Sequence, residues 1–231
     1  MIISREKYLD KYLYFYNKKN NTLLKNILDE KYEVCAEYKN DNRTYVAKIK
    51  VGDEFYLLKK FYPRKKLKQL FTFFKDSESL ATLKNVAHIR NKRVKELVPC
   101  IGVIEARKRN IVVEEVLIME FCEGRKPKTN EEFEKIIKSL DKIYKKKRFH
   151  GDCNPNNFMI KKTGDVKIID TKLKKMWFGD YRKHFDTLVL MKHIPKEINY
   201  PYKKNIYYYF AKFIRKIRDT KNTLKEKKIN G

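Results

Sequence analysis

Three oxygen-bearing side chains in the second half of the chain, Asp152, Asn157 and Asp170, are spaced for phosphate chemistry. A phosphoryl-transfer site needs one carboxylate near the attacking hydroxyl, and oxygen ligands for the magnesium ions that neutralise the phosphates. Asp152 has the residue type for the first role. Asn157 and Asp170 have the residue types for the second, because magnesium prefers oxygen ligands. The spacing therefore predicts Asp152 as a catalytic residue and Asn157 and Asp170 as metal ligands.

The segment between Asn157 and Asp170 has the pattern of a strand, a turn and a second strand. Residues 158–160 are apolar, residues 161–165 form a polar turn that contains a glycine, and residues 166–169 are mostly β-branched. Such a pattern predicts a short hairpin. The hairpin would carry Asn157 and Asp170 back to the same end, facing one ion.

This block, HGDCNPNNFMIKKTGDVKIID, resembles the catalytic loop and metal-binding aspartate of the protein-kinase-like superfamily. Asp152, Asn157 and Asp170 occupy the positions of that pattern, and Pro155 also matches. The resemblance implies an α+β, protein-kinase-like two-lobed fold. Its small β-rich N-terminal lobe would be residues 1–121, and its mainly helical C-terminal lobe would be residues 122–231.

Two departures from the protein-kinase pattern point to the small-molecule branch of the superfamily. Gly151 stands where regulated protein kinases carry an arginine, and Thr171-Lys172 stand where they carry Phe-Gly. A glycine at this position and a short downstream segment are typical of aminoglycoside, choline and sugar kinases. The resemblance therefore implies a sugar or a small hydroxyl compound as the acceptor.

The first half of the chain predicts strands at residues 32–38, 43–51 and 54–61, the last two joined by a Gly-Asp turn. In the superfamily, such a strand carries a lysine that contacts the α- and β-phosphates. Lys59 and Lys60 are both candidates, and they face opposite sides of the strand because side chains alternate. The string YLLKKFYPR is similar to one found in a kinase family and favours Lys59. The alternative is a solvated strand charge.

Two helices are predicted in the same half, at residues 8–28 and 67–86. The second contains Glu78, which is the expected ion-pair partner of Lys59 in a kinase-like lobe. The alternative for Glu78 is an exposed helix carboxylate. No glycine-rich phosphate loop precedes Lys59, so the phosphate cover stays unassigned.

A strand predicted at residues 112–121 leads into Cys122-Glu123-Gly124 and resembles the linker between kinase lobes. In that interpretation Met119 lines the adenine pocket, and Glu120 and Cys122 present backbone groups to the base. The alternative is an ordinary central strand followed by a glycine turn.

The second half predicts a helix that begins at Thr129, because Thr129 and Glu132 fit a capping box and apolar residues follow at helical spacing. A later apolar helix contains Asp186. In kinase-like folds an aspartate there often holds the backbone of the catalytic loop, so a structural role is expected for Asp186.

The chain carries a formal net charge of +27, from 56 Lys+Arg against 29 Asp+Glu in 231 residues. Such a charge favours polyanionic partners, although an AT-rich coding bias explains part of the lysine excess. The four cysteines show neither Cys-x-x-Cys pairs nor zinc spacing, which predicts reduced thiols. Neither a signal peptide nor a membrane span is expected, because no apolar run is long enough.

The last segment, residues 203–228, combines tyrosine, phenylalanine and isoleucine with many lysines and arginines. A basic amphipathic helix of this kind can lie on an anionic leaflet, so an anionic membrane surface is an expected partner. The alternative is that the aromatic residues pack on the C-terminal lobe, and that only residues 221–228 form a solvated tail.

Taken together, the chain is similar to the lipopolysaccharide core heptose(II) kinase family over about residues 30–215, on the strings YLLKKFYPR, FFK, LIMEFCEG, HGDCNPNNF and VKIID. The resemblance implies an ATP-dependent phosphotransferase, with ATP and Mg²⁺ as cofactors, that phosphorylates a heptose of the inner core. It also implies a lipid-linked phosphorylated core oligosaccharide as partner, and a cytoplasmic location that is peripheral on the inner face of the inner membrane. The site residues it implies are Asp152 for catalysis, Asn157 and Asp170 for the metal, and Lys59, Glu78, Met119, Glu120 and Cys122 for the nucleotide.

Other functions stay open from the sequence. One is another small-molecule kinase of the sugar or aminoglycoside type, and another is an atypical protein kinase. A third, from a different class, is a pseudokinase or a nucleic-acid-binding module driven by charge. No specific nucleic acid is expected as a partner.

Overall fold

The computed structural model describes residues 2–62, 69–195 and 197–229, with side chains up to Thr220. The chain divides into two compact units, Met1–Glu123 and Gly124–Gly231. The first unit is built on a sheet, and helices form most of the regular secondary structure described in the second. The predicted mixed α+β class is confirmed.

A seven-stranded antiparallel sheet forms the first unit, in the order β1-β2-β6-β7-β5-β4-β3. The hairpin predicted around Gly52 is present, since β4 and β5 pair along their full length and Val51 lies opposite Glu54. The strands are β1 (Ser4–Tyr8), β2 (Lys11–Phe15), β3 (Glu33–Asn40), β4 (Thr44–Val51), β5 (Glu54–Phe61), β6 (Cys100–Lys108) and β7 (Ile111–Glu120).

The helix predicted at residues 8–28 is wrong in its first half. Residues up to Phe15 form the β1–β2 hairpin, and only α1 (Lys18–Leu28) is helical. The physical reason is a long-range one: β2 pairs with β6, where Tyr14 lies opposite Val103. Asn17 begins α1 by accepting a hydrogen bond from the backbone of Asn20 at 2.9 Å.

One hydrophobic core cluster of the first unit lies between the sheet and α1. Leu24 of α1 packs with Leu13, Ile49, Ile104 and Ile118 of the strands, all of them almost completely buried.

A second helix, α2 (Glu78–Asn91), begins at Ser77, whose side chain accepts from the backbone of Leu80. The helix predicted at residues 67–86 is interrupted: residues 69–70 are helical, Phe71–Phe73 form a 3-10 turn, and α2 begins at Glu78. Residues 67–68 of that prediction lie outside the described residues.

The second unit begins with α3 (Asn130–Lys145), which Thr129 and Glu132 cap as predicted. The hairpin predicted between Asn157 and Asp170 is also confirmed, since β9 and β10 pair antiparallel. The other elements follow in chain order: β8 (Arg148–Phe149), β9 (Phe158–Ile160), β10 (Val166–Ile168), β11 (Lys174–Lys175), α4 (Tyr181–Leu190) and α5 (Ile206–Ile229). Among the described residues, no helix combines the length and the hydropathy needed to cross a bilayer.

Candidate functional site

The loop that follows β8 is held by a buried carboxylate on α4. Asp186 accepts hydrogen bonds from the backbone N–H of His150 at 2.7 Å and from that of Gly151 at 3.2 Å. Its side chain is almost completely buried, and this burial raises the pKa of Asp186 to about 7. The structural role expected for Asp186 is confirmed, because its hydrogen bonds fix the start of the loop.

The backbone conformation at residue 151 explains why this residue is a glycine. Its φ angle is +92°, in the region that residues with a side chain rarely adopt. In this conformation its N–H donates to Asp186. A conformational requirement therefore accounts for Gly151, without reference to the small-molecule kinases that have a glycine at this position.

His150 is a buried packing residue of the loop. Its Nδ1 atom accepts from the backbone N–H of Asp152 at 3.2 Å, so the ring proton is on Nε2 when the ring is neutral. Burial lowers the pKa of His150 to about 4, which keeps the ring neutral at pH 7. The ring also packs against Phe158 of β9, with the centroids 5.3 Å apart.

Asp170 lies against this loop because the residues on either side of it, Ile169 and Thr171, are hydrogen-bonded to the loop. The backbone N–H of Ile169 donates to the carbonyl oxygen of Asn157 at 2.9 Å. On the other side, the buried hydroxyl of Thr171 donates to the carbonyl oxygen of His150 at 3.1 Å. Asp170 itself has a φ angle of +49°, a left-handed conformation that is uncommon for residues other than glycine. The predicted return of Asp170 to the end where Asn157 lies is therefore observed.

The side chain of Asn157 is oriented by the loop itself. Its Nδ2 atom donates to the carbonyl oxygen of Asp152 at 2.8 Å. This bond uses the amide nitrogen, so it leaves the Oδ1 atom as an oxygen that a hard cation accepts as a ligand. Asp152 and Asp170 are exposed and Asn157 is half-buried. Two carboxylates and one amide oxygen thus belong to one short, hydrogen-bonded segment.

The three residues do not form a closed metal cage. In the part of the chain that the structure describes, no three His, Cys, Asp or Glu side chains are grouped so that they could hold a metal ion. Asp152 and Asp170 are only two such residues, and Asn157 adds one neutral oxygen. Magnesium commonly binds through one or two carboxylates and completes its shell with waters and ligand phosphates. The donor set fits that open mode of binding.

A cavity of about 190 Å³ opens beside Asp152. Its walls come from the loop, from α4 and the residues after it, and from α5. They include three cationic side chains, Lys192, Arg215 and Arg218. Asp219 lies in the same wall and forms an ion pair with Lys192 at 2.6 Å. The cavity therefore offers mixed charge next to the exposed carboxylate of Asp152.

The beginning of the second unit is bonded to the hairpin. The backbone N–H of Arg125 donates to the carbonyl oxygen of Ile160 at 3.0 Å, and Ile160 N–H donates back at 2.7 Å. The Arg125 guanidinium also pairs with Glu132, the capping residue of α3. The hairpin and the start of α3 are thus connected through one arginine.

Lys59 and Lys60, both in the first unit, lie on different faces of the sheet. Lys60 forms an ion pair with Glu114 at 3.0 Å. Lys59 lies opposite Leu117 in the register of β5 and β7. That is the face of Glu115, whose carboxylate accepts from the backbone N–H of Ser79 in α2 at 2.9 Å. Lys59 and α2, the helix that contains Glu78, therefore share one face of the sheet.

The residues predicted to contact adenine are in or just after β7. Met119 is buried. The backbone N–H of Glu120 already donates to the carbonyl oxygen of Pro99 at 3.0 Å, so this donor is engaged within the sheet. Cys122 is half-buried in the segment that follows. The structure places Lys59, Met119, Glu120 and Cys122 in one unit, and Asp152, Asn157 and Asp170 in the other.

Sequence reasoning missed one residue of the loop site. Thr171 entered only as a departure from a kinase pattern, yet its buried hydroxyl bonds the loop to the strand end. The available signal was a hydroxyl residue directly after Asp170. Cys153 is buried, and burial raises the pKa of its thiol well above the usual value, so this cysteine fills space in the core.

Comparison with known families identifies a different family from the one that the HGD segment implied. The Seadornavirus VP7 family model matches residues 26–175, more than half of the chain. No curated protein matches the chain. The match is to a viral family, so the predicted membership of the lipopolysaccharide core heptose(II) kinase family is wrong.

The same finding overturns the predicted function. The chain is not placed among kinases, so the ATP-dependent phosphorylation of a heptose and the assignment as a kinase enzyme are wrong. The terms derived from them, transferase and lipopolysaccharide biosynthesis, are wrong as well. The HGD segment misled because its residue types also satisfy local structural needs, namely the positive φ of Gly151 and the backbone bonds to Asp186. By the match over residues 26–175, the chain belongs to the Seadornavirus VP7 family.

Proposed function

We propose that this viral protein binds a phosphate-bearing ligand through a Mg²⁺ ion held by Asp152, Asn157 and Asp170. The observation that carries the proposal is the pair of hydrogen bonds on either side of Asp170, from Ile169 to Asn157 and from Thr171 to the loop. They keep two carboxylates and an amide oxygen in one segment. The role proposed for Asp152 is binding, and no transfer step is proposed.

The charge of the protein supports a phosphate ligand. A net charge of +27 attracts polyanions, and the cavity beside Asp152 contains Lys192, Arg215 and Arg218. Bound Mg²⁺ would supply positive charge between the two carboxylates and the phosphates. The chain's own residues would orient the ion: the amide of Asn157 is fixed by Asp152, and the backbone at Asp170 is fixed by Thr171.

The predicted cofactors ATP and Mg²⁺ are retained only as ligands to test. Lys59 remains the predicted phosphate contact, since it lies on the sheet face that α2 covers. Glu78, exposed in the first turn of α2, stays its predicted partner. Met119, Glu120 and Cys122 likewise stay predicted contacts of a base. We also propose that the two units are the two lobes of a protein-kinase-like fold, which the β-rich first unit and the helical second unit support. The cytoplasmic location stays a prediction.

Calorimetric titration tests the proposal with MgCl₂ alone, and with ATP in the presence and absence of MgCl₂. Asp170→Asn should weaken Mg²⁺ binding by about tenfold or more, because a neutral amide replaces a carboxylate ligand. The matched control is Asp165→Asn, which changes an exposed carboxylate at the other end of the same hairpin. It should bind as the unmodified protein does.

Thermal unfolding supplies a second measurement, since a ligand that binds the folded state raises the melting temperature. Mg²⁺ should raise it for the unmodified protein and for Asp165→Asn, and should not raise it for Asp170→Asn. Equal heats and equal shifts in all three proteins would overturn the site. Binding of ATP that is identical with and without MgCl₂ would overturn the role of the ion.

A further inference from the structure

An exposed apolar stripe runs along one side of α5. Its members are between 39% and 76% exposed, although each is aromatic or branched aliphatic. At about 100° per residue, they fall within an arc of roughly 100° around the helix. We name this surface the α5 stripe, and its residues are Ile206, Tyr209, Phe210, Phe213 and Ile217.

The opposite side of α5 is the side that packs. Ala211 is completely buried and forms a cluster with Phe185 and Leu188 of α4. Tyr208 and Ile214 pack against the same cluster. The helix is therefore fixed mainly by this face. Of the α5 stripe, Phe210 also contacts Tyr181 of α4, with ring centroids 5.5 Å apart.

Two aromatic residues before α4 extend the stripe. Trp177 is 86% exposed and is the only tryptophan of the chain. Its neighbour Phe178 contacts Phe210 of the stripe and Tyr207, each with ring centroids 5.6 Å apart. The exposed apolar surface thus continues from the helix onto the segment that contains Trp177.

The stripe is bordered by positive charge. Lys212 and Lys216 are exposed and fall along one edge of the arc, and Lys203 and Lys204 come directly before the helix. In residues 201–220 the sequence has six cationic side chains and one acidic one, Asp219. That acid is paired with Lys192 at 2.6 Å. An anionic surface is therefore the complementary occupant.

We propose that the α5 stripe, with Trp177 and the adjacent lysines, is a docking surface for an anionic lipid membrane. A helix with one apolar side and a basic border lies parallel to a bilayer surface, with its apolar side below the headgroups. Tryptophan and tyrosine rings are favoured at that depth, and lysines extend their ammonium groups to the phosphates. This association is peripheral and is independent of the Mg²⁺ site.

The position of Trp177 makes the first test direct. Tryptophan emission is recorded as vesicles of phosphatidylcholine with phosphatidylserine are added, and again with phosphatidylcholine alone. The anionic vesicles should shift the emission to shorter wavelength, and brominated acyl chains should quench it, because the indole enters the interface. High salt should weaken the effect, since attraction to the anionic headgroups is screened.

Vesicle co-sedimentation with two variants tests the two components of the surface. Phe213→Ser combined with Ile217→Ser should lower retention on anionic vesicles by about tenfold or more, because two apolar anchors are lost. Lys212→Glu combined with Lys216→Glu should lower it at low salt.

The chain offers a matched control for each variant. Lys138→Glu with Lys142→Glu reverses two exposed lysines that have the same four-residue spacing on α3. Phe74→Ser removes an aromatic residue that is 81% exposed in the first unit. Both controls should be retained as the unmodified protein is, and thermal unfolding should confirm that every variant is folded.

Three results would overturn the proposal. One is retention on anionic vesicles with unchanged Trp177 emission, which would indicate attraction by net charge alone. Another is equal loss of retention in the controls and the stripe variants. The third is a dimer in sedimentation velocity that the stripe variants convert to monomer, since the stripe would then bind a second copy of the chain.

Discussion

The loop at residues 150–157 and the α5 stripe are two surfaces of the same unit, built in different ways. The loop depends on single hydrogen bonds from distant segments, such as those from His150 to Asp186 and from Thr171 to His150. The α5 stripe depends only on the period of one helix. We therefore expect that loss of one hydrogen bond disrupts the conformation of the loop. Each substitution in the α5 stripe should instead reduce membrane binding only in part. The family match, residues 26–175, includes the loop and Asp170 and ends before Trp177.

The largest expected effect is on the loop. Asp186→Ala leaves the N–H groups of the buried His150 and of Gly151 without their acceptor, and should lower the free energy of unfolding by about 3 kcal/mol. Urea denaturation measures the change. Asp141→Ala is the control, because it removes only an i,i+4 ion pair with Lys145 on α3 and should cost about 0.5 kcal/mol or less. A similar small change for Asp186→Ala would show that the loop does not need its carboxylate.

The contribution of Asp186 to the free energy of unfolding should also depend on pH. Burial raises the pKa of Asp186 to about 7 from its ordinary value of 3.8, so between these values the folded state binds more protons than the unfolded state. The contribution of Asp186 to stability therefore falls as pH rises from about 4 to 7. Asp186→Asn removes this dependence.

The free energy of unfolding of the two proteins should be compared at pH 4.5 and pH 7. The unmodified protein should lose stability relative to Asp186→Asn by on the order of 2 kcal/mol over this interval. The pKa of His150, lowered to about 4, acts in the opposite direction but is common to both proteins. A difference that does not vary with pH would contradict the assigned titration.

A smaller effect is expected where the loop meets Asp170. Thr171→Val keeps the shape of the side chain but removes the hydroxyl that donates to His150, and should cost about 1–2 kcal/mol. It should also weaken Mg²⁺ binding, since the backbone at Asp170 would be less well fixed. Thr163→Val, an exposed position in the hairpin turn, is the matched control for both measurements. Full Mg²⁺ affinity in Thr171→Val would limit this threonine to stability.

The smallest effect on stability is expected in the stripe. Phe213→Ser changes a residue that is 60% exposed, so the free energy of unfolding should change by about 0.5 kcal/mol or less. Retention on anionic vesicles should nevertheless fall. A loss of stability comparable to that of Asp186→Ala would mean that Phe213 has a packing role, and the contrast between the two surfaces would disappear.

Local patterns predicted the parts of the fold that depend on local interactions. The β4–β5 hairpin around Gly52, the capping box at Thr129 and the β9–β10 hairpin all follow from turn and cap chemistry within a few residues. The β1–β2 hairpin did not follow from such patterns. Its pairing with β6 joins residues some ninety positions apart, and a segment rich in tyrosine, lysine and leucine does not reveal a distant partner.

The sequence predicted the local geometry of the candidate site but not the family of the chain. The spacing of Asp152, Asn157 and Asp170 correctly predicted a hairpin that brings two of them back to the loop. The same spacing did not distinguish a heptose kinase from a viral family. The residue types of a short loop reflect its backbone conformation more directly than they reflect a reaction. Thr171 was missed for a related reason: its partner, the carbonyl oxygen of His150, is visible only in three dimensions.

The paired hydrogen bonds between Arg125 and Ile160 determine where a fragment that contains only the second unit should begin. A fragment that starts at Pro127 would lack a two-bond bridge to β9 and the guanidinium that pairs with Glu132. One that starts at Gly124 retains both. Gly124 is itself close to the carbonyl oxygen of Ile160, where a side chain would collide with the backbone, so an expression tag should be attached through a flexible linker upstream of it.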